Sequence, residues 1–142
     1  MYVKRAHDVV TVQASATKTV TGTGDSVRLP GGNVNAFVFT LDVTAAATDV
    51  GDKLDVYVQT KADGTNWVDV QHFTQVLGND VAKRFMVKIA AATDLAEFET
   101  GSALGAAAKR DILGDEWRAR WVVVDTGTDN ASFTFSLAAC PM

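Results

Sequence analysis

Two runs of alternating residues, separated by a short polar turn, constrain this chain more than any other feature. In residues 54–60 and again in residues 67–73, apolar side chains recur at every second position. The turn between the runs contains Asp63-Gly64, a dipeptide typical of tight hairpin turns. Period-two alternation on both sides of such a turn predicts a β-hairpin. One of its faces should pack inward, and the other should meet water or a partner.

A similar period recurs along the chain and predicts about eight strands. The clearest case is a run over residues 35–44, where four large apolar side chains point one way: Phe37, Phe39, Leu41 and Val43. Further strands are expected at 9–20, 26–29, 81–89, 116–124 and 132–137, and the last two are expected to pair as a second hairpin. The connections are too short for crossover helices. The sequence therefore predicts an all-β fold, an antiparallel β-sandwich of jelly-roll type.

Residues 90–114 break this pattern, because they show no strand alternation. Asp94, with Glu97 three residues later, has the spacing of a helix cap. The short helix that it predicts would carry Leu95 and Phe98. A connection of this length inside a compact β domain is usually functional or flexible. We expect an extended insert holding one short helix.

The chain length and the position of these patterns predict the domain organisation. A chain of 142 residues is long enough to bury a substantial core without disulfides or metals. Residues 1–8 read as a polar N-terminal arm, and residues 9–142 as one sandwich domain.

The charge balance argues against a nucleic-acid partner. There are 13 basic and 17 acidic residues, which gives a net charge of -4, and no basic run is present. Cys140 is the only cysteine, so an internal disulfide is excluded, as suits folding in a reducing cytoplasm. No continuous apolar run marks a signal peptide or a membrane span. We expect neither direct nucleic-acid contact nor membrane association.

No set of residues indicates catalysis or metal binding. His7 and His72 are far apart and lack metal-ligand spacing, and no nucleophile elbow or phosphate loop is present. The Asp and Asn residues of loops such as 125–130 offer oxygen ligands, but they lack the EF-hand spacing and are also what tight turns require. We expect no catalytic residue, no metal and no cofactor, and we expect His72 at the surface or rim.

A carbohydrate-binding function is an alternative. The Asp-Gly-x-x-Trp motif at residues 63–67 is similar to a hairpin of some carbohydrate-binding β-sandwiches, where exposed aromatic rings stack on sugars. Tyr57 and Trp67 are the candidate stacking residues. Trp121 alternates in step with Trp117, which is typical of a buried face.

Arg118 and Arg120 share the strand face opposite Trp117 and Trp121. One interpretation is the solvated face of an edge strand, where charges block unwanted pairing. The other is a docking face, because arginine is enriched at interface cores. The sequence leaves both open.

Several short motifs follow one another between residues 37 and 137. They are Phe39-Thr40-Leu41-Asp42-Val43-Thr44-Ala45-Ala46, Leu54-Asp55-Val56-Tyr57-Val58-Gln59-Thr60, Asp63-Gly64-Thr65-Asn66-Trp67, Phe73-Thr74-Gln75, Trp117-Arg118-Ala119-Arg120-Trp121 and Ser132-Phe133-Thr134-Phe135-Ser136. Their order resembles a recurrent class of small virion proteins of tailed bacteriophages, which decorate or cement the head. The long 90–114 segment departs from that class, where a short connection is expected.

The resemblance implies a non-enzymatic structural protein on the capsid surface, assembled in the host bacterial cytoplasm. Its expected partner is the major capsid protein, whose neighbouring subunits it would bridge, and symmetric pairing predicts a homodimer. The candidate contact residues lie in the arm, the insert and the arginine strand: Tyr2, Lys4, Arg5, Leu95, Phe98, Lys109, Arg110, Arg118 and Arg120. A neck or tail location of the same fold is a further alternative.

Overall fold

The computed structural model describes residues 8–30 and 34–142, and they contain ten strands and no helix. The strands are β1 (Val10–Lys18), β2 (Gly22–Thr23), β3 (Val27–Arg28), β4 (Ala36–Ala45), β5 (Lys53–Lys61), β6 (Trp67–His72), β7 (Val76–Leu77), β8 (Lys83–Ala90), β9 (Glu116–Val124) and β10 (Phe133–Pro141). The predicted all-β class is confirmed. The count exceeds the predicted eight because β2, β3 and β7 are two-residue strands, too short to produce an alternation pattern.

The strands form two sheets, in which every pairing is antiparallel. The first sheet has the order β1-β10-β4-β8, and the second has the order β2-β9-β5-β6, with β3 also on β9 and β7 also on β5. This arrangement confirms the predicted antiparallel β-sandwich. If β2 and β3 are counted as one strand and β7 is left out, eight strands remain. Numbered 1 to 8 along the chain, they have the order 1-8-3-6 in the first sheet and 2-7-4-5 in the second.

The core lies between the sheets and is built from the alternate residues that the sequence predicts. Phe37, Phe39, Leu41 and Val43 of β4 are all buried. Trp117 of β9 faces them, with its ring centre 5.4 Å from that of Phe37 and 5.1 Å from that of Phe39. Large aromatic side chains from opposite sheets therefore interlock at the centre of the sandwich.

The predicted central hairpin is confirmed as β5 and β6. Its turn is closed by Asp63, whose Oδ1 accepts hydrogen bonds from the backbone N–H groups of Thr65 (2.8 Å) and Asn66 (2.7 Å). These bonds, that of Asn66 first, lower the pKa of Asp63 to about 2, because they stabilise the ionised carboxylate. Gly64 supplies the positive φ of 77° that a side chain would disfavour.

The predicted second hairpin is wrong. β9 belongs to the second sheet and β10 to the first, so the 125–132 connection crosses the sandwich instead of turning back within one sheet. The alternation of both strands is satisfied across the core, where the rings of Trp121 and Phe135 meet edge to face at 5.7 Å. Alternation specifies which face of a strand is buried, but not which strand lies beside it.

The helix predicted to carry Leu95 and Phe98 is also wrong, because residues 94–99 have no regular secondary structure and the later part of the insert is extended along β6. Residues 107–110 run antiparallel along the outer edge of β6, and Lys109 forms a bridge with Gln71. Three backbone hydrogen bonds join them: Ala107 N to His72 O (2.7 Å), His72 N to Ala108 O (3.1 Å) and Arg110 N to Val70 O (2.8 Å). The edge groups of β6 need partners, and a helix would use its own backbone groups internally.

A β-bulge in β6 changes the face on which His72 lies. Tyr57 is opposite His72 and Val58 is opposite Gln71, but Gln59 is opposite Asp69, so the register shifts by one residue. The strict alternation predicted for residues 67–73 therefore ends at the bulge. The expected exposed position of His72 is wrong, because its side chain is buried beside Tyr57.

Candidate protein-contact face

The outward side of the second sheet carries six polar and aromatic side chains from three adjacent strands. We call them the arginine face: Tyr57, Gln59, Trp67, Asp69, Arg118 and Arg120. The strands place them together because each residue alternates with a core residue on its own strand. Arg118 is directly opposite Gln59, and Arg120 is directly opposite Tyr57.

Arg118 is fixed by its neighbours but has no counter-charge in contact. Its Nε donates a 2.8 Å hydrogen bond to Gln59 Oε1, and its Cζ lies 4.3 Å from the ring centre of Trp67. No carboxylate oxygen of the described residues lies within 4.0 Å of its guanidinium nitrogens. Desolvation and then the charge of Arg120 lower the pKa of Arg118. The charge of Asp69 opposes this lowering of the pKa, so the guanidinium is held in place as a cation that feels Asp69 at a distance but has no carboxylate of the described residues in contact.

Arg120, in contrast, has the carboxylate of Asp69 in direct contact. Its Nη2 donates to Asp69 Oδ2 at 3.0 Å and its Nε donates to Asp69 Oδ1 at 3.3 Å. Asp69 Oδ1 also accepts a 2.9 Å bond from Gln59 Nε2, so one network joins both arginines. Such charge-assisted, two-point contacts fix side-chain geometry.

The edge-strand interpretation of Arg118 and Arg120 is wrong. β9 pairs with β5 along nine residues and with β2 and β3 on its other side. Their charges therefore do not protect an open edge of β9. They lie on the face of an internal strand, where the backbone is already paired.

The rings of the two candidate glycan-stacking residues are covered by neighbouring side chains. Tyr57 lies between its cross-strand neighbours, with the His72 ring at 4.1 Å and Arg120 Cζ at 3.8 Å from its ring centre. These groups come from strands on opposite sides of β5, so both faces of the Tyr57 ring are covered. Trp67 has Lys61 Nζ at 4.7 Å in addition to Arg118. A sugar ring could reach Tyr57 only by displacing one of its partners.

His72 joins the face to residues 104–110, which we call the edge segment. Its Nδ1 lies 2.8 Å from Leu104 O, and its Nε2 lies 2.8 Å from Asp55 Oδ1. The imidazole therefore bridges the Leu104 carbonyl and the Asp55 carboxyl group through its two ring nitrogens. Asp55 Oδ2 accepts a further bond from Gln75 Nε2 at 2.9 Å. This hydrogen-bond network therefore ties the edge segment to the hairpin.

Replacing His72 with phenylalanine should loosen the edge segment. The His72→Phe variant keeps a ring beside Tyr57 but removes both hydrogen bonds and leaves Asp55 without its histidine partner. We expect the free energy of unfolding to fall by about 1–3 kcal/mol, and amide exchange of residues 104–110 to accelerate. Hydrogen–deuterium exchange read by mass spectrometry measures the second effect.

The matched control is Thr17→Val, which removes an exposed 2.8 Å hydroxyl contact with Thr134 in the first sheet. It should change stability by about 0.5 kcal/mol or less and leave exchange of the edge segment unchanged. Unaltered exchange in the His72→Phe variant would contradict the anchoring role.

The other predicted contact residues are dispersed or engaged internally. Lys109 Nζ binds Lys88 O (2.8 Å) and Asp111 Oδ1 (3.1 Å), and Arg110 donates to Asp69 O (3.1 Å) with its Cζ 4.2 Å from the Phe98 ring centre. Both cations therefore hold the insert on the sandwich. Leu95, half exposed, lines a shallow groove of about 300 Å³ with Phe98. Tyr2, Lys4 and Arg5 lie outside the described residues.

Sequence reasoning missed Gln59, Asp69, Asp55 and His72. A signal for Gln59 and Asp69 was present, since hairpin pairing with alternation places them beside each other on the outward face. For His72 the signal was absent, because the bulge that turns it toward Asp55 depends on pairing.

The fold and this face define an antiparallel β-sandwich protein with a cationic and aromatic patch on the outward side of its second sheet. Within residues 8–30 and 34–142, no group of three or more His, Cys, Asp or Glu side chains is placed to hold a metal ion. The same part of the chain has no helix of the length and apolar character needed to cross a membrane. Comparison with known proteins finds no matching family model and no matching curated protein.

Proposed function

We propose that this protein is a non-enzymatic structural component of a tailed-phage virion, a jelly-roll sandwich that binds the outside of the head and cements neighbouring major capsid subunits. The resemblance of its strand motifs to small virion proteins and the interleaved strand order of its two sheets support the assignment. The observation that carries it is the state of Arg118: fixed, stacked on Trp67 and without a carboxylate of the described residues in contact.

An arrangement of this kind suits protein contact. Arginine, tryptophan and tyrosine dominate the binding energy of protein interfaces. Because Gln59 and Trp67 already hold Arg118, less side-chain entropy is lost when a partner carboxylate binds. Many copies of a modest contact, repeated by capsid symmetry, then produce strong attachment. A two-fold homodimer remains part of the proposal as the simplest way to straddle a seam.

Two measurements test the proposal: the copy number of the protein per virion, and the effect of replacing Arg118 on attachment to shells. Quantitative mass spectrometry of virions from the source phage should find hundreds of copies, in a simple ratio to the major shell protein. In rebinding to shells that lack the protein, Arg118→Ala should weaken attachment roughly thirtyfold, the effect of removing an interface hot spot.

The matched control is Arg28→Ala. Arg28 is an exposed arginine that already has Asp115 and Glu116 within 4.0 Å, so its loss should change attachment little. A dozen copies or fewer would move the protein to the neck or tail. Absence from virions, with tryptophan quenching by glycans, would replace the proposal with the carbohydrate-binding alternative.

A further inference from the structure

The edges of the two sheets are not equally protected. The β6 edge is covered by residues 107–110. The β1 edge is irregular, with two register shifts in its pairing with β10. β8 pairs with β4 over eight residues without any register shift, and no strand of residues 8–30 or 34–142 lies on its other side. Straight, uncovered edges of this kind are templates for an added strand.

The direction of the backbone groups along β8 shows which of them are open. Here inward means toward the paired strand β4, and outward means away from it. Just after β8, Ala91 N donates inward to Asn35 O. One residue earlier the direction reverses: Ala90 N donates outward to Asp111 Oδ1, and Lys88 O accepts outward from Lys109 Nζ. Because direction alternates along a strand, the N–H and C=O groups of Arg84 and Met86 also point outward.

No hydrogen bond from residues 8–30 or 34–142 reaches these outward groups of Arg84 and Met86. The insert therefore caps only one end of the β8 edge. Within the described part of the chain, the outward groups of Arg84 and Met86 and the N–H of Lys88 are open, whereas the Lys88 carbonyl is bound by Lys109; Met86 itself is 68% exposed. An extended peptide of about five residues would fit along this part of the edge.

The side chains of this edge select the partner's charge. β8 contains Lys83, Arg84 and Lys88 and no acidic residue. Lys83 has Asp80 at 3.1 Å and Arg84 has Asp42 at 3.2 Å. Lys88, in contrast, has no carboxylate of the described residues within 4.0 Å and feels the more distant charge of Asp111. A second copy is a poor occupant, because antiparallel pairing centred on Met86 would place Arg84 of each copy opposite Lys88 of the other.

We propose that the open edge of β8 binds an extended acidic segment of a partner protein, which adds a fifth strand to the first sheet. Main-chain bonds to Arg84, to Met86 and to the Lys88 N–H would supply the register, and carboxylates opposite Arg84 and Lys88 would supply the selectivity. This inference goes beyond the proposed virion role and does not depend on it, since the edge is the same whatever the source of the segment.

A short peptide probe tests the inference on the full chain. The probe is acetyl-Ser-Glu-Thr-Val-Thr-Glu-Ser-amide, titrated to millimolar concentration into 15N-labelled protein and followed by NMR. We expect shifts of the Arg84, Met86 and Lys88 amide signals that saturate, and slower exchange of these amides. Absence of any shift at millimolar peptide would overturn the proposal.

Two control peptides separate strand addition from simple charge attraction. A peptide with lysine in place of both glutamates should bind at least about tenfold more weakly. A peptide with proline in place of the central valine keeps its charge but cannot extend as a strand, and it should not bind. Equal binding by the proline peptide would overturn the proposal in favour of electrostatic adhesion.

Two variants test the edge itself. Met86→Pro removes an outward N–H without removing a bond to β4, so the fold should persist and peptide binding should be lost. If that variant does not fold, Lys88→Glu changes only a side chain and should weaken binding about tenfold. Undiminished binding in a folded Met86→Pro variant, or in Lys88→Glu, would overturn the proposal. Both substitutions are in the first sheet and leave Arg118 of the second sheet unchanged, so neither result tests attachment through Arg118.

Discussion

Replacing Gly114 with alanine is expected to lower the free energy of unfolding by about 3 kcal/mol. A Cβ at this position would collide with the carbonyl group of Lys61 and with the Thr60 hydroxyl. Neither neighbour can withdraw freely. Lys61 O accepts the Asp115 N–H at 3.2 Å, and Thr60 Oγ1 donates to Glu116 O at 2.8 Å. The insert must pass this point before β9 begins, so a shift there disturbs the pairing of β9 with β5.

Gly105 provides the matched control within the same insert. A Cβ built on it meets no atom within 4 Å, and its φ is not in the left-handed region. Gly105→Ala should therefore be neutral or stabilise the protein by about 0.5 kcal/mol, because alanine restricts the unfolded chain. Urea unfolding followed by tryptophan fluorescence measures both variants. Equal stability of the two would show that the close approach at Gly114 is not a constraint.

Replacing Trp117 with alanine is expected to cost about 3–5 kcal/mol. The side chain is 1% exposed and packs against Phe37 and Phe39 of the opposite sheet. Alanine would leave a cavity in the layer that joins the two sheets, and the rigid neighbouring strands can collapse only partly into it. Because the variant loses a fluorophore, far-UV circular dichroism in urea is the appropriate measurement.

Val20→Ala is the control for Trp117→Ala, because Val20 is 71% exposed and its truncation should change stability by about 0.5 kcal/mol or less. A Trp117→Ala variant as stable as the control would contradict the assignment of Trp117 to the centre of the core.

Much of the architecture was predictable because a strand repeats every two residues. The alternation in β4, β5 and β9 correctly placed Phe39, Val56 and Trp117 inward, and it placed Arg118 and Arg120 together on the outward side. The turn chemistry of Asp63-Gly64 correctly predicted that β5 and β6 pair. These features are local, so a single chain read in order is enough to predict them.

Partner choice and register were decided only by the tertiary structure. Alternation assigns a face to β9 and β10, but it is equally satisfied by pairing within a sheet and by facing across a core. The bulge that brings His72 to Asp55 depends on which residue of β5 lies opposite, and residues 107–110 are extended because β6 needs hydrogen-bond partners. Sequence periodicity determined the face of each long strand, whereas long-range backbone pairing decided the arginine face network and the open β8 edge.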